Sequence, residues 1–262
     1  MKVFAHQVRP DSAYYLPILS ASHWFWKRGY EIETFQTSSA QEGALDVKLQ
    51  QCRDETIVRA TPEMLRLILR RLGFAEPPLF ELPPALNPWI GRFTWETTLG
   101  QVREQVDSEI SLNPFHIRPL DHRRQFKGTI VYGLRDLIPS ASLADETPVL
   151  AQQKIEFVSE WRAFVLRGKV LHVAHLKGSP LRFPDAEVIL AALGAYTDRP
   201  IAFGMDWGIT AAGQTMLIEI NDGYSYGHFG MHGMMHTAMI EARWRELVGL
   251  SDNGIGDCFT HF

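Results

Sequence analysis

Glu219 and Asn221 stand two residues apart inside an otherwise apolar run, "MLIEIND", at residues 216–222. Side chains alternate across a strand, so these two share one face while Ile218 and Ile220 share the other. One face packs, and the other presents oxygen. Upstream, "FGMDWGIT" carries Asp206 in a second strand-like run, with "AAGQ" between the two. A hairpin centred on Ala212-Gly213 sets Asp206 directly opposite Glu219, on the face that also carries Asn221. Carboxylates opposed across a ladder repel. Two readings follow: a solvated outer face, or a divalent cation among oxygen ligands. Mg²⁺ suits the second, because it takes few protein carboxylates and completes its shell with phosphate oxygen and water. Without a cation, one carboxyl group needs a raised pKa.

A second polar set lies in "PVLAQQKIEFVSEWRAFVLRGKVLHVAHLKG", which reads as a long antiparallel pair. Gly168 supplies the positive φ of a tight turn centred on Arg167-Gly168. That centre predicts Arg162 opposite Val173, Glu160 opposite His175 and Val158 opposite Lys177. Glu160, Arg162, His175 and Lys177 then share one face.

A third set is "HFGMHGMMH", in which His228, His232 and His236 recur every four residues. On a helix they form one stripe, as in zinc hydrolases that pair such histidines with a glutamate base. A metal-dependent hydrolase is the alternative that this cluster offers. Gly230 and Gly233 weaken the helix, and no glutamate stands between the histidines. His172 and His175 read as satisfied polar groups, and Trp24 and Trp26 as core or rim.

The positioning elements begin with "KVFAHQV" as a strand, a helix from Pro17 to Arg28, and the strands "YEIETFQ" and "ETIVRA". "TPEMLRLILRRLG" is a helix with Thr61 as cap, Pro62 in the first turn, and Gly73 as its stop. Its arginines lie among apolar residues at the helical period, which marks a helix face rather than a nucleic-acid patch. Strands alternating with helices predict a small α/β domain over residues 1–90. Five prolines between residues 77 and 88 form the connector to a second domain over residues 91–262. There Thr98 caps a helix running to about Asp107, and "FHIRPL" is a short strand leading into a basic segment.

The chain has 262 residues, 45% hydrophobic and 21% charged, the balance of a globular protein. A net charge of -4 offers no general attraction to nucleic acid or anionic membrane. Cys52 and Cys258 make neither a disulfide framework nor a metal quartet. The first residues lack the apolar stretch of a signal peptide, so a cytoplasmic location is expected. No P-loop, dinucleotide-binding glycine motif or kinase catalytic loop occurs.

Four motifs in order carry a resemblance over about residues 95–230: "IRP", "RQFKG", "EWR", and an aspartate strand followed by "IEIN". Together they resemble the ATP-grasp superfamily, and within it the bacterial and phage clade named for a shared arginine and two lysines. The resemblance implies an α+β ATP-grasp fold whose two subdomains clasp ATP, behind a small N-terminal domain. Asp206, Glu219 and Asn221 then match the residues that hold Mg²⁺ against the phosphates. Gln152, Gln153 and Lys154 fall at the hinge that meets adenine. Arg162 matches the clade's arginine and Lys177 one of its lysines, and Glu160 belongs to the same nucleotide-binding set. Arg118 stands where many relatives have lysine. The loop places Arg124 at the lysine position and Lys127 three residues on, so either can contact phosphate.

The function so implied is ATP- and Mg²⁺-dependent ligation, in which a carboxylate is activated as an acyl phosphate and attacked by an amine, with peptide formation included. Its partners are a small-molecule or peptide carboxylate and an amine. A nucleotide- or peptide-binding protein without turnover is the second alternative.

Overall fold

The computed structural model describes residues 1–77, 82–108, 113–120, 126–224 and 226–257. Two compact units divide them. Residues 1–89 join those from 158 onward in the first, and Ile90–Phe157 form the second.

The chain opens with β1 (Lys2–His6), α1 (Tyr15–Lys27), β2 (Glu31–Phe35), α2 (Thr37–Gln41), α3 (Asp46–Gln51), β3 (Thr56–Arg59) and α4 (Pro62–Arg71). The three strands form a parallel sheet in the order β2-β1-β3, as helix crossovers between strands require. Thr61 caps α4 by accepting from the Met64 amide, and Gly73 ends it at φ +80°. The α4 arginines find carboxylates: Arg66 and Arg70 pair with Glu76, and Arg71 with Asp46.

After α5 (Asn87–Ile90) come β4 (Thr94–Thr98), α6 (Leu99–Ser108), β5 (Phe115–Pro119), β6 (Thr129–Val131) and β7 (Pro148–Gln153). These strands make an antiparallel sheet in the order β4-β7-β5-β6. Its core is Leu99, Val102, Phe115, Ile117, Val131, Val149 and Ala151. "PVLAQQ" therefore pairs here rather than extending the long hairpin.

The chain returns with β8 (Ser159–Leu166), β9 (Lys169–Gly178), α7 (Ala186–Ala195), β10 (Ala202–Ile209), β11 (Thr215–Asp222) and α8 (Gly233–Leu247). The strands form an antiparallel sheet in the order β11-β10-β8-β9, with β10 buried along its whole length. One face packs Ala163, Val165, Met205 and Trp207 against Ile189, Ala192 and Leu193 of α7. The other packs Phe164, Leu166 and Ala202 against Ala238, Met239 and Ala242 of α8.

The opposite side of α8 meets the parallel sheet. Ile240, Trp244 and Val248 share a core with Val3, Phe25, Ile57 and Val58, and the Trp244 indole donates to the Thr56 carbonyl at 2.8 Å. A helix buried on both sides carries no single apolar stripe, and the polar groups it buries need partners. Its one buried acid, Glu241, accepts from Arg28, Tyr30 and Asn253. Among the described residues no helix is long and apolar enough to cross a membrane.

Candidate functional site

The hairpin β10–β11 sets the acidic pair. Its ladder closes at Ile209 and Thr215, so the loop is longer than a two-residue turn, with Gly213 at φ +84°. A glycine in that conformation ends a three-residue hairpin loop. A bulge then falls at Ile218, because Trp207 faces Leu217 while Asp206 faces Glu219. The extra residue offsets the longer loop and restores the opposition that strand alternation predicts.

The charge facing Asp206 comes from the neighbouring strand. β8 pairs with β10 so that Arg162 stands opposite Asp206. Arg162 Nε donates to Oδ1 at 2.6 Å and Nη2 to Oδ2 at 2.7 Å, a bidentate pair with both side chains buried. Asn221 Nδ2 donates to Asp206 Oδ2 at 3.2 Å and to Glu219 Oε1 at 2.9 Å. The repulsion expected to require a metal cation is thus already offset by a guanidinium.

Burial pushes the Asp206 carboxyl up to about 6, against the opposing pull of Arg162, and Glu219 adds to the rise. Arg162 itself is raised: burial works against its charge, and Asp206 outweighs that. Its guanidinium lies 4.8 Å from the Tyr226 ring centre and 5.2 Å from that of Phe229. Gly204, facing Asn221, leaves room for this stack; a Cβ there would stand 3.2 Å from both Arg162 Cδ and the Tyr226 ring. Phe229 holds φ +44°, a conformation an aromatic residue rarely adopts.

The β8–β9 hairpin corrects a second expectation. Its turn is Arg167-Gly168, at φ +51° and +73°, and Val165 and Leu166 pair as that centre predicts. Bulges at Leu171 and Leu176 then shift the register twice. Arg162 faces Ala174 rather than Val173, and Glu160 faces Lys177 rather than His175. His175 pairs instead with Trp161, on the other face, and packs edge-on against its ring at 4.9 Å. Lys177 Nζ, largely exposed, meets Glu160 Oε1 at 2.8 Å.

The histidine stripe does not form, because α8 begins only at Gly233. His232 is its N-cap, accepting from the Met234 amide, with its ring 4.7 Å from Trp24. His236 is buried, and its Nε2 lies 3.1 Å from the Tyr226 carbonyl. Among the described residues no group of three or more His, Cys, Asp or Glu side chains is placed to hold a metal ion. Asp206, Glu219 and the Asn221 carboxamide remain a set of hard oxygen donors on one sheet face, a composition that suits Mg²⁺.

The other predicted nucleotide contacts lie in the second unit. Gln152 and Gln153 end β7, where Gln152 Oε1 accepts from Arg92 at 2.9 Å and Gln153 Oε1 from the Phe93 amide at 3.3 Å. Lys154 Nζ pairs with Glu156 at 2.7 Å and lies 5.3 Å from the Tyr132 ring centre. Arg118 is on β5 opposite Leu150, and Lys127 is exposed beyond Phe126. Arg124 lies outside the described residues.

Comparison with known proteins agrees with this architecture. The chain is similar to N5-carboxyaminoimidazole synthetase from Staphylococcus aureus, with 12% identity and a TM-score of 0.59 over 95% of this chain and 77% of that one. It is also similar to D-alanine–D-alanine ligase from Bacillus anthracis, with 14% identity and a TM-score of 0.52 over 98% and 95% of the two chains. Identities this low speak for the fold alone. No curated protein sequence matches. The model of an ATP-grasp domain, R2K clade family 2, matches residues 89–239, a span that holds both antiparallel sheets and every residue of the Arg162–Asp206–Glu219–Asn221 network. The protein has the ATP-grasp fold, and the chain belongs to R2K clade family 2 of the ATP-grasp domains.

Proposed function

We propose that the protein is an ATP- and Mg²⁺-dependent ligase that joins a carboxylate to an amine, peptide formation being one such reaction. The observation that carries this reading is the opposed pair Asp206 and Glu219, bridged by Asn221 and faced by Arg162, inside the family-matched span. Membership of the ATP-grasp domains supports ATP as the cosubstrate.

In this reading Asp206, Glu219 and Asn221 would hold Mg²⁺, whose charge would neutralise phosphate oxygens. Arg162 and Lys177 stabilise the γ-phosphoryl group as it leaves ADP for the acceptor carboxylate. The amine then attacks the acyl carbon, phosphate departs with the bonding electrons, and the amide nitrogen gives up a proton. Such transfer depends on positioning and charge rather than on a protein nucleophile. By the family resemblance, Glu160 in the first unit and Arg118, Lys127, Gln152, Gln153 and Lys154 in the second are each further candidates for nucleotide contact. The composition and two cysteines fit work in the cytoplasm.

The test is to follow ADP and phosphate release while amino acids, short peptides and amines are supplied in pairs. A pair that stimulates release and yields an amide product supports ligation. Tight ATP binding with no release for any pair would make the protein a binding module.

A further inference from the structure

Both oxygens of Asp206 are already engaged among the described residues, so this carboxylate cannot offer one to a cation without rearrangement. Both Asp206 oxygens accept from Arg162, at 2.6 and 2.7 Å, and Oδ2 also accepts from Asn221. The Asn221 amide nitrogen faces both carboxylates, so its oxygen is turned away from them. Of the three groups suited to a divalent ion, Asp206 is thus the one held by a guanidinium.

The geometry points to Arg162 as a built-in competitor for Asp206, which makes cation binding depend on a polyphosphate that draws the guanidinium away. This rests on the reading of Asp206, Glu219 and Asn221 as a cation site. A cation and a guanidinium cannot share one buried carboxylate at low cost, because like charges repel most strongly where water is excluded. Phosphate oxygens accept a guanidinium fork as well as a carboxylate does. Nucleotide therefore acts twice: it supplies phosphate ligands to the ion and takes over the arginine that blocks it.

Arg162 is placed for such a move. Its stem runs past Gly204, and its guanidinium lies against the rings of Tyr226, which is buried, and Phe229, which is half exposed and held at positive φ. Backbone held in a sparsely populated region is costly and clusters at ligand clamps and switch segments. The exposed Phe229 side is the direction in which the guanidinium can leave.

Coupling of this kind is reciprocal, so it is measurable from the metal side alone, without turnover. The experiment titrates full-length protein with Mn²⁺ in the absence of nucleotide and reads free ion by its electron paramagnetic resonance signal. Wild type, Arg162→Gln, Arg162→Lys and Asp206→Asn are compared, each checked by circular dichroism. The expected result is Mn²⁺ binding at least tenfold tighter in Arg162→Gln than in wild type. Arg162→Lys should fall between them, since an ammonium cannot hold both oxygens in a planar fork, and Asp206→Asn should not bind. If Arg162→Gln fails to fold, Arg162→Lys carries the comparison. Equal or weaker binding by the arginine variants, with binding still lost in Asp206→Asn, would overturn the competition and leave the cation site standing. Binding that survives in Asp206→Asn would overturn both.

Discussion

Arg162 and Asp206 sit opposite each other on adjacent strands and share two hydrogen bonds, at 2.6 and 2.7 Å, with both side chains buried. Opposed to Asp206 on its other side is Glu219, which is only partly buried and has no such partner in its bond to Asn221. The two carboxylates therefore differ in what they do for the fold. Asp206→Asn leaves a buried guanidinium without its counter-charge and should cost about 3–5 kcal/mol. Glu219→Gln keeps an acceptor for Asn221 and removes a like-charge opposition, so its effect should stay within about 0.5 kcal/mol. Thermal melts at pH 7.5 decide this: a fall on the order of 10 °C for the first variant and almost none for the second. Equal shifts would mean that the Arg162–Asp206 bond contributes little.

Lys177 separates function from stability most cleanly. Its side chain is 69% exposed, and its ion pair with Glu160 is a surface pair of small worth. Lys177→Ala should melt with wild type, yet its role at the transferring phosphoryl group predicts a loss of roughly 10²–10³ in kcat. Unchanged turnover with a stimulating substrate pair would remove Lys177 from the chemistry and return it to the surface.

Much of this site was legible because strand alternation is strict. Alternation puts Glu219 and Asn221 on one face, and Gly168 marks the turn at Arg167-Gly168; the opposition of Asp206 and Glu219 is present because the bulge at Ile218 offsets a loop longer than the one expected. The bulges at Leu171 and Leu176 were not legible, since each inserts a leucine with no glycine or proline to mark it. They moved His175 off the predicted face. Arg162 as the partner of Asp206 was hidden for a different reason. β8 and β10 are not consecutive, and no turn sets their register in the sequence. Helix α7 did leave a signal: Asp185 accepts from the Glu187 amide at 2.8 Å, just ahead of an apolar run. Helix α8 left little, because burial against two sheets removes the amphipathic stripe by which helices are recognised.

The packing of α8 carries its own prediction. Glu241 is fully buried and accepts from Arg28 at 2.5 Å, Tyr30 at 2.8 Å and Asn253 at 2.8 Å. It ties the segment after α1 to the last helix, alongside the core that the parallel sheet shares with Ile240 and Trp244. Glu241→Ala should therefore destabilise by about 3–5 kcal/mol. Residues 1–89 expressed alone should show no cooperative unfolding in urea, having lost the helix that completes their core. A cooperative transition from that fragment would show that the parallel sheet folds without α8.

His236 predicts how stability depends on pH. Its ring is fully buried, and burial pushes its pKa down from 6.5 to about 3, with the buried Arg59 cation adding to the fall. Neutral His236 donates to or accepts from nothing at Nδ1 among the described residues, so protonation would place an unsolvated charge in the core. Below pH 6.5 the unfolded chain takes up a proton at this position while the folded chain does not. The unfolded state then binds more protons, and stability falls as pH falls, by about 1.4 kcal/mol per unit until the folded pKa is reached. Above pH 6.5 both states are neutral and the contribution is flat. His236→Gln removes the titration while keeping a polar group of similar size, and effects of other ionisable groups cancel between the two proteins. Urea unfolding at pH 7.5 and 5.0 should show wild type losing about 2 kcal/mol more than His236→Gln. Parallel losses in the two proteins would mean that His236 charges within the folded structure, and that the core around Tyr226 opens to water more readily than its packing implies.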